Sequence, residues 1–193
     1  MRLLLLARHG QSVFNVAGVV NGDPDLDQGL SDAGRAAAGA LGLQLAALRI
    51  DICVTSRFPR AQETARLALG ERPAVRTAVD PDLDDIRIGE LEGKTLDDYR
   101  TWKHLHTRRD PFPGGESLVD AAQRYAAAFE RLARRAEETI LCVCHEIPVR
   151  YAVNAAAGSP DPDAPFHDVA NATPYLFDEP ALLRAVANLR RVD

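Results

Sequence analysis

Short apolar runs bounded by charged or turn-forming residues recur along the chain at Leu3 to Ala7, Ile50 to Thr55 and Ile140 to Cys144. Runs of this length, apolar at successive positions, predict strands buried on both faces of a parallel sheet. Between them the period lengthens to that of a helix. Ser31-Asp32 supply an N-cap ahead of an Ala- and Leu-rich stretch reaching about Leu48, and Pro59 suits the first turn of a helix running to about Leu69. From Ser117, apolar residues at Leu118, Ala121, Ala122, Tyr125, Phe129, Leu132, Ala133 and Ala136 recur at helical spacing and mark one buried face. The tail reads as two closing strands, Thr173 to Phe177 and Leu182 to Ala187, joined by Asp178-Glu179-Pro180, the second being equally readable as a helix. The Asp- and Pro-rich stretch from Ser159 to Pro165 is a surface connection. Strands alternating with crossover helices predict an α/β fold, a three-layer sandwich with a mostly parallel central sheet flanked by helices, and place ligands at the carboxyl ends of the strands.

A chain of 193 residues, 46% hydrophobic and 26% charged, has the size of one domain spanning residues 1–193. Its net charge of −5 supplies no field to recruit nucleic acid or an anionic membrane, so an anion site has to be a local concentration of Arg and His. The apolar run at the start stops at Arg8-His9-Gly10, too short for a signal-peptide core or a membrane span. Three cysteines are an odd count, and Cys142 and Cys144, two apart in a strand, share a face without disulfide geometry. A reducing, cytoplasmic location is expected.

Each of the three apolar runs ends in residues suited to holding an anion. The first leads into Arg8-His9-Gly10, the second into Ser56-Arg57 and then Arg60, and the third into His145-Glu146. In a parallel sheet these exits share one edge, so two histidines and one or two arginines should converge. The guanidinium fork matches phosphate oxygens, and Arg60, in a first helical turn, is joined there by free backbone N–H groups and the helix dipole. A neutral imidazole is a competent nucleophile toward phosphorus, and phosphoryl transfer asks the protein mainly for positioning and charge neutralisation. No H-E-x-x-H, C-x-x-C or carboxylate-histidine pattern supplies a metal-ligand set, so neither a metal nor another cofactor is expected.

Arg8-His9-Gly10-Gln11-Ser12, with Asn15 following, resembles the Arg-His-Gly signature of the histidine phosphatase (phosphoglycerate mutase-like) superfamily. Asn21-Gly22 and Leu30-Ser31-Asp32-Ala33-Gly34, the segment Thr55 to Ala65, the segment Leu83 to Gly93, Gly114 to Leu118, Val143-Cys144-His145 and Asn171 to Phe177 resemble further family stretches in order along nearly the whole chain. The resemblance implies that His9 is transiently phosphorylated, that Arg8, Arg60 and His145 bind phosphoryl oxygens, and that Asn15 with the Asn21-Gly22 loop completes the cradle. Arg57 falls outside it. Asp85 aligns with the family's acid/base carboxylate, which is more usually glutamate, and needs a raised pKa through burial or a neighbour such as Asp84. Glu146 stands where the phosphatase and mutase branch usually has glycine and is an alternative acid.

Val19-Val20 replace the Arg-Phe pair seen in mutases, the stretch Asp85 to Gly89 lacks their Glu-Arg-His-Tyr-Gly, and the connection from Gly93 to Gly114 is short. Without an adequate lid water takes the phosphoryl group. The expectation is a metal-independent phosphomonoester hydrolase acting on small phosphorylated metabolites, with a cofactor-dependent phosphoglycerate mutase and a non-catalytic phosphate-binding module as alternatives. The basic run Lys103, His104, His106, Arg108 and Arg109 either reads a carboxylate or second phosphate on the substrate or forms a solvated helix face. Tyr99 and Trp102 line the substrate or pack internally. A homodimer is left open.

Overall fold

The strand residues divide by parity between two apolar layers. Leu4, Leu6, Ile52, Val54, Ile140, Cys142 and Cys144 are buried in one cluster, and Leu5, Ala7, Cys53, Leu141 and Val143 in another. Because successive strand side chains point to opposite faces, this split requires both faces of the sheet to be covered. The computed structural model, which describes residues 1–72, 75–164 and 168–192, supplies those covers. The strands β1 (Leu3–Arg8), β2 (Ile52–Thr55), β3 (Arg76–Val79), β4 (Thr139–Cys144) and β5 (Pro174–Phe177) form one sheet in the order β3-β2-β4-β1-β5. All neighbours are parallel except β5, which runs antiparallel to β1.

Helices α2 (Asp32–Gln44) and α3 (Pro59–Leu69) pack on the face of Leu5 and Cys53. Helices α5 (Leu118–Ala133), α6 (Glu146–Ala156) and α7 (Glu179–Leu189) cover the other. The fold is therefore the expected α/β three-layer sandwich of phosphoglycerate mutase-like form. A short α1 (Val13–Ala17) and α4 (Leu96–Leu105) stand at the carboxyl end of the sheet. Register aligns the strand ends: Arg8 lies opposite Cys144 and Thr55 opposite Val143, so the residues that follow emerge side by side.

Several element boundaries differ from the sequence pattern. Strand β2 begins at Ile52 rather than Ile50, α2 ends at Gln44 rather than near Leu48, and α5 stops at Ala133 rather than Ala136. The segment after β5 is a helix, not a strand. Asp178 caps it by accepting from the Ala181 N–H at 2.7 Å, Pro180 occupies its first turn, and Leu182, Ala185, Val186 and Leu189 form its buried face. Strand β3 escaped notice because it is a mostly exposed edge with no apolar run. The loop after α6 is held at Ser159–Ala164 by the Asn154 amide, which donates to the carbonyls of Pro162 and Ala164 at 2.9 and 2.8 Å; Pro165 lies outside the described residues. Among the described residues no helix is long and apolar enough to cross a membrane, and Cys53, Cys142 and Cys144 are free and buried.

The loop after β1 rests directly on the start of α2. Ser31 caps that helix by accepting from the Gly34 N–H at 3.0 Å, and the Ser31 N–H donates to the Gln11 carbonyl at 2.9 Å. A Cβ at position 34 would meet the Gln11 carbonyl oxygen at 2.0 Å, so only glycine permits this approach. Backbone on both sides leaves little room to relax. Gly34→Ala is expected to cost at least about 2 kcal/mol, read as a shift of the urea midpoint at constant m, because overpacking of this kind displaces main chain.

Candidate active site

His9 leaves β1 with its N–H bonded to the Cys144 carbonyl at 2.9 Å, and its own carbonyl accepts from the Asn171 amide at 2.8 Å. The ring is buried, with Nδ1 at 2.6 Å from the Gly10 carbonyl oxygen. A carbonyl only accepts, so Nδ1 carries the proton and the lone pair of the neutral ring lies at Nε2. Arg60 Nε donates to that atom at 3.0 Å. Burial, and then the charges of Arg60 and Arg8, hold the His9 pKa well below the ordinary imidazole value. His9 is thereby kept neutral with Nε2 turned into the site.

Arg60 occupies the first turn of α3, behind Phe58 and Pro59, and its guanidinium is buried. It reaches the Asn21 side-chain oxygen at 2.5 Å, the Asn21 carbonyl at 3.1 Å, His145 Nδ1 at 3.2 Å and Asp85 Oδ2 at 3.3 Å. Asp27, whose side chain is 0% exposed, completes the set: its carboxylate accepts from the Arg60 N–H at 2.7 Å and lies 3.3 Å from the guanidinium. A buried guanidinium needs such a partner. Sequence reasoning missed Asp27, since it is one of three alternating aspartates, Asp23, Asp25 and Asp27, and nothing local distinguishes the one that folds inward.

His145 follows β4 and is fully buried, its ring 5.3 Å from that of His9. Since Arg60 donates to Nδ1, the neutral ring carries its proton on Nε2 and donates to Ser56 Oγ at 2.8 Å. Burial first, then Arg60 and His9, lowers its pKa well below the ordinary value. Asp85 Oδ2 lies 3.5 Å from Nδ1. Burial raises the Asp85 pKa against the opposing charge of Arg60, and Glu146 adds a smaller upward push. Asp84 has no part in this. It is turned the other way, accepting from the Arg57 N–H at 2.8 Å and from Arg57 Nε at 2.7 Å, which also places Arg57 outside the site.

The remaining sequence candidates take more varied positions. Arg8 donates to the Val169 carbonyl at 2.8 Å and pairs with Glu146 at 2.9 Å. Glu146 spends its other oxygen on Arg150, so both are committed to guanidinium partners and neither touches His9 or Asp85. Asn15 lines the cavity while its side-chain oxygen caps α1 through the Ser12 N–H at 3.0 Å. The Asn21-Gly22 loop lines the cavity with several of its donors engaged within the protein. Gly22 N–H donates to Glu92 at 2.7 Å and the Asn21 amide donates to Asp23 and Glu92. The loop also packs on the main chain beside Asp85, where a Cβ at position 22 would meet the Ile86 carbonyl at 2.1 Å. It fixes Arg60 against Asp85. Glu92, whose pKa burial raises, is a second residue that no sequence signal singled out.

A cavity of about 580 Å³ opens over His9, Arg60 and Asp85. Val19 and Val20 line it. The basic run is largely engaged elsewhere: Lys103 pairs with Asp163, Arg108 with Asp161 at 2.9 Å, and His106 stacks on Trp102 at 4.1 Å. Trp102 itself packs on Phe112 at 4.2 Å, while Tyr99 stacks on Phe112 and also lines the cavity.

Residues 4–178 match the family model described as histidine phosphatase superfamily (branch 1). A 2,3-bisphosphoglycerate-dependent phosphoglycerate mutase from Methylobacterium sp. (strain 4-46) is 43% identical over 136 residues, which cover 64% of this chain and 64% of the relative. The chain thus spans under two thirds of that relative's length. Among solved structures, the alpha-ribazole phosphatase from Shigella flexneri is similar with a TM-score of 0.79 at 26% identity, covering 91% of this chain and 90% of that one. A mycobacterial glucosyl-3-phosphoglycerate phosphatase, solved in complex with VO3, is similar with a TM-score of 0.73 at 30% identity, covering 91% and 92%. The converging histidines and arginine, the sandwich that carries them and the match over most of the chain lead to one assignment: this protein belongs to the histidine phosphatase superfamily (branch 1).

Proposed function

We propose that the protein is a metal-independent phosphomonoester hydrolase that works through a phosphohistidine on His9. The observation that carries this reading is the pairing of a neutral His9, its Nε2 lone pair directed at Arg60, with a partly buried carboxyl group at Asp85 that meets another nitrogen of the same guanidinium. In the first half-reaction Arg60, Arg8 and His145 hold the phosphoryl oxygens. An entering dianion draws the Arg60 Nε–H away from His9 and so frees the lone pair. His9 Nε2 then bonds to phosphorus as the ester P–O bond breaks, and the leaving oxygen takes its proton from Asp85. In the second, Asp85 removes a proton from water, whose oxygen attacks phosphorus and displaces His9. Inorganic phosphate leaves and both side chains return to their starting states.

His145 enters this cycle as a neutral ring whose proton faces Ser56. A dianion beside it favours proton uptake on Nδ1, converting an acceptor into a second donor toward the phosphoryl group. The structural neighbours named as phosphatases support hydrolysis, whereas the sequence relative named as a mutase supports transfer. Val19 and Val20 favour hydrolysis, because they bring no charge to hold a bisphosphorylated intermediate. The three free, buried thiols suit a reducing, cytoplasmic setting.

With EDTA present, acid-quenched turnover should leave acid-labile phosphate on the wild-type protein and none on His9→Ala, and 3-phosphoglycerate should give inorganic phosphate rather than its isomer. Isomerisation without release would establish the mutase instead. The active form needs neutral His9, whose pKa is lowered, and protonated Asp85, whose pKa is raised. The acid limb of the kcat/KM profile therefore moves down and the alkaline limb moves up from an ordinary carboxylate, giving a maximum on the acid side of neutrality. Asp85→Asn should lower kcat about 10²- to 10⁴-fold and remove the alkaline limb. Asp27→Asn leaves Arg60 without its buried counter-charge and should cost about 3–5 kcal/mol of stability in a thermal melt, together with a fall in kcat/KM.

A further inference from the structure

The outer part of the cavity, beyond His9 and Arg60 and bordered by the Arg8–Glu146 pair, carries carboxylates as well as cations. Among the described residues, Arg100, Lys103 and Arg150 line it on one side of the ledger of charge, and Glu146, Asp163 and Asp168 on the other. Five of the six are in ion pairs, and Asp168 adds a further carboxylate. Lys103 meets Asp163, Arg150 meets Glu146 and lies 3.7 Å from Asp163, and Arg100 pairs at 3.2 Å with Asp97 outside the cavity. Beside them the wall offers the apolar Val19, Val20, Leu96 and Ile147, together with His104.

Asp163 is not free to retreat if a substrate anion claims Lys103. Its loop is tied to α6 through the Asn154 amide, to the segment after α4 through Arg108 and Asp161 at 2.9 Å, and internally by the Asp163 N–H donating to Asp161 at 3.0 Å. An anionic leaving group would have to pull Lys103 or Arg150 from a half-buried carboxylate and leave that carboxylate unpaired beside it. Such a change disfavours the anion by removing one attraction and adding one repulsion.

Resting on the phosphatase reading, we infer that the outer chamber selects phosphomonoesters with an uncharged, partly apolar leaving group, and that Asp163 is a specificity-determining residue that cancels the cations of α4 and α6. The basic run of α4 is then a clamp for the acidic loop and not a reader of a distal carboxylate or phosphate. Exclusion of anions is built into the wall.

A matched pair of esters tests this: 4-carbamoylphenyl phosphate and 4-carboxyphenyl phosphate, alike in size and differing in charge. The wild-type enzyme should show a kcat/KM at least about tenfold higher for the amide, a discrimination worth about 1.4 kcal/mol. Asp163→Asn should shrink that ratio at least fivefold, chiefly through a lower KM for the carboxylate, and adding Lys103→Met should restore most of it. Because the ratio is compared between proteins, the intrinsic reactivity of the two esters cancels. A ratio unchanged between the wild type and Asp163→Asn would overturn the inference, as would an Asp163→Asn protein that slows both esters alike. Hydrolysis of neither ester would instead overturn the phosphatase reading, and this inference with it.

Discussion

The site depends on a guanidinium kept out of water. Removing Arg60 from solvent costs several kcal/mol, and the offset has to come from partners fixed in place around it. Asp27 supplies the counter-charge, Asn21 two oxygens, and the two imidazoles and Asp85 surround the rest. The same charge acts on all of them. Added to the larger effect of burial, it holds His9 and His145 neutral, and it opposes the effect of burial on Asp85. The proposed nucleophile, anion binder and acid thus share the influence of one residue, which itself is held by the carboxylate of Asp27.

That arrangement is a resting state aimed at a dianion. Arg60 spends its Nε–H on the lone pair of His9, and Arg8 spends a guanidinium nitrogen on Glu146. A phosphoryl group offers both arginines a stronger acceptor, since charge-assisted bonds to phosphate exceed those to a neutral imidazole. In the proposed mechanism binding therefore unmasks His9 in the same movement that neutralises the charge to be transferred. The two close main-chain contacts, at Gly34 and Gly22, seat the loop that carries His9 on α2 and the Asn21-Gly22 loop on the segment that carries Asp85.

The inner site suits phosphoryl chemistry of either kind named among the relatives, and the outer chamber is where the two would diverge. A mutase has to retain a second anionic group while its intermediate reorients. Here Lys103 of α4 and Arg150 of α6 are matched by Asp163 and Glu146, and the valines contribute only apolar surface. The charge that would retain such a group is present in the chain, but it is spent on the protein itself.

The sequence alone determined the frame. Three apolar runs had to be strands covered on both faces, and because parallel strands put their carboxyl ends on one edge, His9, Arg60 and His145 had to meet there. The edge strand β3 and the helix α7 were less legible, the first because it is half-exposed and the second because its short apolar segment fits either period until Asp178 and Pro180 are seen to cap it. Pairings were decided only by the tertiary structure. Asp27 with Arg60, Ser56 with His145, Glu92 with Gly22 and Asp163 with Lys103 join residues far apart in the chain. Hydrophobic periodicity reports which face of an element is buried, whereas which charge meets which depends on how loops from different elements close over one another, and no local pattern records that.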